Sequence, residues 1–289
     1  MWRTLQFLPA AQEKMLLKAN LCEADAIIFD LEDSIALEDK AGARTRLRGF
    51  LEGFQNPKGC GLVVRINPLD GLGDEDLRAL SALKQIDAFL LPKADAEGVG
   101  QLDQLLWALE KEEGFPEGTF GIIALIESAG AVWNALAIAG ASPRLQGMLF
   151  GAEDFTADMG IQRTPGGEEI AVARSLHAMA AKAAGIEAYD TPYPHVRDPE
   201  GLLRDTLQGK QTGMTGKAAI HPAQVSIINE AYSPTPEEVE YAKRILMAEK
   251  AALAEGKGVF ALDGKMVDLP VIQRAKTVLA LHEIMGNPR

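Results

Sequence analysis

Sulfur, histidine and positive charge are all scarce in this chain of 289 residues. Two cysteines, Cys22 and Cys60, are too few for a disulfide framework, and no CxxC pair occurs. A reducing cytoplasm is the expected home. Four histidines without HxxxH spacing disfavour a zinc centre. Lys and Arg number 29 against 41 Asp and Glu, a formal charge of −12. That balance argues against nucleic acid or an anionic membrane as partner, because phosphate binding needs a basic face. No apolar run reaches the roughly 18 residues of a membrane span, and MWRTLQFLPA has no long apolar stretch before a cleavage site. No GxGxxG follows a strand-like run, which weakens a dinucleotide fold.

What the chain does have is alternation. Short, continuously apolar runs fall at Leu5–Leu8, Ala26–Leu31, Leu62–Ile66, Ala88–Leu91, Gly121–Ile126, Met148–Phe150, Ile186–Tyr189 and Ala218–Ile220. Continuous apolarity suits parallel strands covered on both faces. Between them lie helical spacings, including Ala11–Cys22, Gly98–Glu113 and Glu168–Ala184. Eight such units predict a closed (β/α)8 barrel, with a doubly wound sheet as the structural alternative. Gly213-Met214-Thr215-Gly216-Lys217 looks like part of a phosphate loop but lacks its spacing and its final hydroxyl.

After Asn229 the pattern changes. Pro234 and Pro236 mark a linker, Glu237–Glu255 a charged amphipathic helix, Asp263-Gly264 a hairpin turn, and Pro270–Met285 a last helix. The expected division is residues 1–232 as a barrel and 233–289 as an extension.

Barrel chemistry sits where strands end. The ends carry Asp30, Glu32 and Asp33, then Arg65, Lys93, Glu127, Glu153 with Asp154, Asp190, and His221. Charges are disfavoured in a core unless paired or metal-bound. Asp30 and Glu32 alternate on one strand and face one side. Asp33-Ser34 also suits a helix cap, Glu127 a salt bridge to Arg65 or Lys93, and Asp154 a cap. His221 suits an ordinary hydrogen-bonding role. The carboxylate count favours a hard divalent cation such as Mg2+, with Glu127 and Asp154 as its ligands. Arg65 has the planar fork that clamps a carboxylate. A metal beside an arginine suits a 2-oxoacid.

Seven segments, in order, resemble the citrate lyase β-subunit-like proteins of the HpcH/HpaI aldolase superfamily, a set shared with malyl-CoA and citramalyl-CoA lyases. They are Ala26–Ser34, Val64–Asp70, Leu91–Lys93, Ala124–Ser128, Gly151–Asp154, Ala219–Gln224 and Asp263–Pro270. The resemblance implies a barrel with Mg2+ on Glu127 and Asp154, and Arg65 on the oxoacid carboxylate. Ala152, Glu153 and Asp154 are expected to bind the substrate beside Arg65, and Asp30 and Glu32 to be catalytic. It implies that Asp268 exchanges a proton with the acyl carbon in a neighbouring subunit's site, in a homotrimer or hexamer. The other reading of Asp268 is a turn or helix cap before Pro270. His195 stands where relatives carry an aspartate.

The implied activity is that of a carbon–carbon lyase. It cleaves a 3-hydroxyacyl-CoA thioester (malyl-, citramalyl- or citryl-CoA) reversibly into an acyl-CoA and a 2-oxoacid. Lys14 and Lys18, with Lys40 and Arg44, are candidates for the CoA phosphates, against a solvated helix face. Four other readings stay open. They are a citrate lyase subunit acting on an acyl-carrier-protein thioester, a CoA-independent aldolase, a Schiff-base aldolase on Lys93 or Lys217, and a non-catalytic CoA-binding subunit.

Overall fold

The computed structural model describes residues 2–254, 256 and 258–286. Eight parallel strands close into a barrel in chain order: β1 (Thr4–Pro9), β2 (Ala26–Asp30), β3 (Gly61–Arg65), β4 (Ala88–Leu91), β5 (Gly121–Ile126), β6 (Leu145–Phe150), β7 (Glu187–Asp190) and β8 (Gly216–Ala219). β1 pairs with both β2 and β8, so the sheet has no edge and the doubly wound alternative falls. Each predicted run becomes a strand, with shifted ends. β6 begins at Leu145 rather than Met148 because the exposed Gln146 interrupts its apolar run.

Two sets of side chains cover the two faces of the sheet. Leu5, Ala26, Ile28, Val63, Ile123 and Leu125 belong to one cluster. They recur at every second position, as residues pointing into a barrel must. Their alternates Ile27, Phe29, Val64, Ile122 and Ala124 are equally buried. They face the surrounding helices, which is why each strand reads as an unbroken apolar run.

The helix predicted over Gly98–Glu113 spans Ala96–Glu113. The Asp95 carboxylate accepts the Gly98 N–H at 2.7 Å at its start, and Gly114, at φ 72°, closes it. The stretch Ala11–Cys22 forms only a single turn, Glu13–Leu16, followed by a 3-10 segment, Leu17–Leu21; no side chain caps its start. Glu168–Ala184 likewise divides into a 3-10 turn and the helix Ala171–Ala184. The Gly213–Lys217 segment is no phosphate loop. Gly213, at φ 103°, ends the helix Pro199–Thr212, and Lys217 enters β8 with its side chain fully buried.

At the N-terminal end of β6, Arg144 clamps Glu110 through two hydrogen bonds of 2.7 and 2.8 Å and reaches Asp103 at 2.5 Å. These bonds tie the helix Ala96–Glu113 to the strand ends opposite the mouth, the end of a barrel that serves stability rather than chemistry.

The chain divides into two compact units, 1–229 and 230–289. In the second, helices Pro236–Ala254 and Leu269–Gly286 share a core of Ala242, Ile245, Val267, Ile272 and Ala275. Between them lies the hairpin β9 (Phe260–Leu262) and β10 (Lys265–Val267). Its turn residues Asp263 and Gly264 have φ of 51° and 74°, the left-handed pair that a two-residue hairpin requires. Glu255, the expected last residue of the first helix, lies outside the described residues. Among the described residues, no helix is long and apolar enough to cross a membrane.

Candidate active site

The inward alternation continues past the strand ends. Asp30 lies two residues after Ile28, Arg65 two after Val63, Glu127 two after Leu125, and Thr191 two after Tyr189. All four line one cavity of about 410 Å³, together with Phe7, Asp33, Gly151, Ala152, Glu153 and Asp154. It opens at the C-terminal ends of the strands, where barrel enzymes carry their sites.

Arg65 is surrounded by acids. Its Nε and Nη2 donate to the two oxygens of Asp30 at 2.6 and 2.8 Å, and its Nη1 donates to Asp33 at 3.1 Å. Its guanidinium also lies over the Phe7 ring, 5.1 Å from the centroid. Burial opposes the charge on Asp30, but Arg65 more than offsets it and holds that carboxyl below its ordinary range. Glu32 lies 3.0 Å from Arg65 Nη1 through Oε2. That approach is out of line for a hydrogen bond, and Oε2 has no hydrogen-bond partner among the described residues. Burial, with the charges of Asp33 and Asp30, lifts Glu32 to about 7 against the pull of Arg65 and Lys93.

Glu127 and Asp154 form the second acidic element. Burial first, then the charges of Asp154 and Glu32, push Glu127 up to about 8. The Lys93 N–H opposes this, donating to Glu127 Oε1 at 2.6 Å. Lys93 reaches that geometry at φ 49°, a left-handed conformation uncommon for a residue with a side chain. Gly151 makes room: a Cβ there would stand 2.7 Å from Glu127 Cβ and 3.1 Å from Oε2. Two carboxylates pressed together, one of them inclined to keep its proton, make a site short of positive charge. Their hard oxygen donors fit a divalent cation. No group of three or more His, Cys, Asp or Glu suited to a metal occurs among the described residues. That is no obstacle for Mg2+, which keeps waters and takes one or two carboxylates.

Other expected residues fall in several places. Ala152 is buried in the cavity wall, and its N–H donates to Thr191 Oγ1 at 3.2 Å. Glu153 lines the cavity, but its exposed carboxylate pairs with Arg163 at 3.3 Å. Lys14 and Lys18 are exposed on the turns after β1. Lys40 and Arg44 are committed elsewhere. Lys40 Nζ donates to Leu31 O, Glu32 O and Asn67 Oδ1, fixing the loop after β2. Arg44 pairs with Asp76 and Glu75. His221 is exposed and caps the turn at Pro222, accepting the Ala223 N–H on Nδ1. His195 is exposed and packs edge-on against Tyr193, with centroids 5.4 Å apart.

Asp190 does not belong to the mouth. It lies on the opposite face of β7 from Tyr189 and pairs with Arg174 and Lys217. All three N–H bonds of Lys217 are donated, to Asp190, Asp205 and Thr191 O, so this amine is no free nucleophile for a Schiff base. Lys93 carries its amine 4.0 Å from Glu32, on a side chain 67% exposed. Neither amine has the desolvated, unpaired setting of an activated lysine. Asp268 lies in the second unit, at the start of the helix Leu269–Gly286, where Oδ1 accepts the Val271 N–H at 3.3 Å.

Sequence reasoning passed over Phe7, Gly151 as a space-making residue, and Thr191. The period-two signal that places Asp30 and Arg65 also picks out Thr191, two residues beyond Tyr189.

Comparison with known proteins agrees with the fold. The family model described as HpcH/HpaI aldolase/citrate lyase matches residues 3–222. The chain is 39% identical to the citrate lyase subunit beta of Escherichia coli K12, over 98% of this chain and 94% of that one. It is 37% identical to a (3S)-malyl-CoA thioesterase of Cereibacter sphaeroides, over 99% and 96%. Among solved structures it resembles the CitE protein of Mycobacterium tuberculosis, in complex with magnesium, acetoacetate and coenzyme A. There the TM-score is 0.77, at 32% identity, covering 97% of this chain and 98% of that one. A closed barrel, an acid-rich mouth and similarity along nearly the whole length converge: the chain belongs to the HpcH/HpaI aldolase/citrate lyase family and is a lyase.

Proposed function

We propose that this protein is an Mg2+-dependent carbon–carbon lyase that reversibly cleaves a 3-hydroxyacyl-CoA thioester into an acyl-CoA and a 2-oxoacid. One observation carries the reading: the Glu127–Asp154 carboxylates and the Arg65–Asp30 pair share a single cavity. Glu127 and Asp154 are the residues to hold the cation. Once bound, it supplies Lewis-acid stabilisation of the oxygen that becomes the ketone.

Arg65 takes the carboxylate of the 2-hydroxyacid end, and Asp30 fixes the plane of its guanidinium. Glu32 has a carboxylate oxygen without a hydrogen-bond partner among the described residues and titrates at about 7, which suits a base accepting the hydroxyl proton at neutral pH. The bond to the thioester α-carbon then breaks, and the oxoacid leaves. Asp268 returns a proton to the α-carbon of the acyl-CoA enolate. By family resemblance Asp268 serves a neighbouring copy, in a homotrimer or hexamer. Lys14 and Lys18 are the proposed contacts for the CoA phosphates. The proposed division of labour is a barrel of residues 1–232 and an extension of 233–289, in a cytoplasmic enzyme.

The test is a cleavage assay on malyl-, citramalyl- and citryl-CoA, with EDTA and Asp268→Asn as controls. Asn caps a helix about as well as Asp, so this substitution keeps the fold while removing the acid. Turnover lost in both controls supports the lyase. Absence of turnover on every thioester overturns the stand-alone reading. The 39% identity to a citrate lyase subunit beta favours an acyl-carrier-protein thioester in a complex as the second reading. Free hydroxyacids turned over without a thioester would instead identify a CoA-independent aldolase.

A further inference from the structure

Behind the barrel wall, four charged side chains are sealed from water. Lys217 stands on β8, Asp190 ends β7, and Arg174 and Asp205 come from the helices Ala171–Ala184 and Pro199–Thr212. Their side chains are between 0% and 3% exposed. Arg174 reaches one oxygen of Asp190 at 2.9 Å and one of Asp205 at 2.6 Å. Lys217 reaches the other oxygen of each, at 2.8 and 2.6 Å. Two cations and two anions close a ring.

Such a ring is a poor source of stability, because desolvating four charges offsets most of their attraction. Its geometry is nevertheless well determined, since every charge is paired. What the ring holds is therefore informative. The third N–H of Lys217 goes to the main-chain oxygen of Thr191 at 2.6 Å. With all its donors committed, the ammonium fixes Thr191 in place.

Thr191 reaches the other way as well. Its Oγ1 accepts the Ala152 N–H at 3.2 Å, and Ala152 opens the turn that carries Asp154. The β6–β7 register runs from Gly147↔Glu187 to Leu149↔Tyr189 and stops there. Beyond that last pair, the Thr191 hydroxyl continues the joint between the two strands, up to the cavity itself.

We propose that Thr191 is a positioning residue that sets the Asp154 turn against Glu127, using the buried ring as its mount. The inference rests on the reading of Asp154 as a cation ligand. The probe is Mn2+, an oxygen-seeking ion of the same class as Mg2+, with free Mn2+ counted by electron paramagnetic resonance on the full chain. Thr191→Val keeps the shape and deletes the acceptor. It is expected to weaken Mn2+ binding about 10–100-fold, the usual effect of losing a group that supports a metal ligand. Thr191→Ser keeps the hydroxyl and is expected to restore affinity to within about threefold of the parent, with melting temperatures of all forms alike. Where the valine variant fails to fold, Thr191→Ala carries the same expectation. Asp154→Asn separates the two levels of the claim. Parental Mn2+ affinity in the Thr191 variants, with affinity lost in Asp154→Asn, overturns the positioning role alone. Parental affinity in Asp154→Asn overturns the cation reading, and this inference with it.

Discussion

Asp30 and Arg65 are register partners on adjacent strands, and hydrogen bonds of 2.6 and 2.8 Å join their side chains. The pairing uses the Nε–Nη2 edge of the guanidinium, while Nη1 donates to Asp33. A lysine at position 65 would keep the charge and lose the fork. Arg65→Lys is expected to lower kcat/KM about 100-fold, mainly through KM for the oxoacid in the condensation direction. Steady-state kinetics with varied oxoacid checks this. An unchanged KM would remove Arg65 from substrate binding.

Gly151 tests how closely β6 must approach Glu127. Its φ of −100° suits any residue, so the cost of a methyl there is steric. Gly151→Ala would set a Cβ 2.7 Å from Glu127 Cβ. The expected penalty is about 1–3 kcal/mol of stability from overpacking, with Mn2+ affinity reduced at least tenfold. Thermal unfolding and metal titration read the two effects separately.

Glu127 makes metal binding depend on pH. In the metal-free protein its carboxyl titrates at about 8, so it is largely protonated at pH 7. A cation needs the ionised form. Affinity is therefore expected to rise by up to about tenfold per pH unit from 6 to 8 and to level off above, with close to one proton released at pH 7. Calorimetry in buffers of different ionisation enthalpy counts that proton. Glu127→Gln should remove most of the proton release and of the pH dependence, leaving only what the neighbouring Glu32 contributes near pH 7.

His177 gives the fold an acid limit. The ring is completely buried beside Met148 O, and burial lowers it from 6.5 to about 4. The unfolded chain takes up a proton at this residue below pH 6.5, and the folded chain only below about 4. At this residue protons therefore favour unfolding across that window, and a contribution of about 3 kcal/mol is lost as pH falls through it. It is opposed by Glu32 and Glu127, whose raised carboxyls take up protons in the folded chain over the same range. Glu169, held at about 2 by the Thr164 and Arg163 hydrogen bonds despite its burial, adds a further loss from pH 4.5 downward. Between pH 6.5 and 4 the denaturant-derived stability of His177→Gln should lack this contribution, so that the parent loses about 3 kcal/mol relative to the variant across the window, with the Glu169 slope below it unchanged.

The strands were legible because parallel strands covered on both faces must be apolar throughout; their closure was less so, since a doubly wound sheet fits the same runs and only the β1–β8 pairing decides between them. The mouth was legible in part, because a charge that continues the inward alternation has nowhere to go except the cavity. Asp30, Arg65 and Glu127 obey that rule. Asp190 and Lys217 looked equally exposed to chemistry, yet sit one position out of phase and face the helices. Lys40 and Arg44 show the opposite limit: a cation in sequence says nothing about which acid or carbonyl will claim it. The loop after β2 and the Asp76 carboxylate, which claim these two, come together only in three dimensions. Asp268 is a candidate through its family motif alone, since its spacing is equally that of a helix cap, the role in which the structure places it.

At position 93 the atom that touches the acidic pair is a peptide hydrogen, not the amine. The side chain could be pared to nothing with that contact intact. Glycine would even relax the backbone, which now holds a left-handed turn at φ 49°. Replacing the same amide by an ester would keep every side chain and delete only the bond to Glu127. Chemical synthesis of the main chain, rather than mutagenesis of its side chains, is thus the direct handle on how firmly this carboxylate is held.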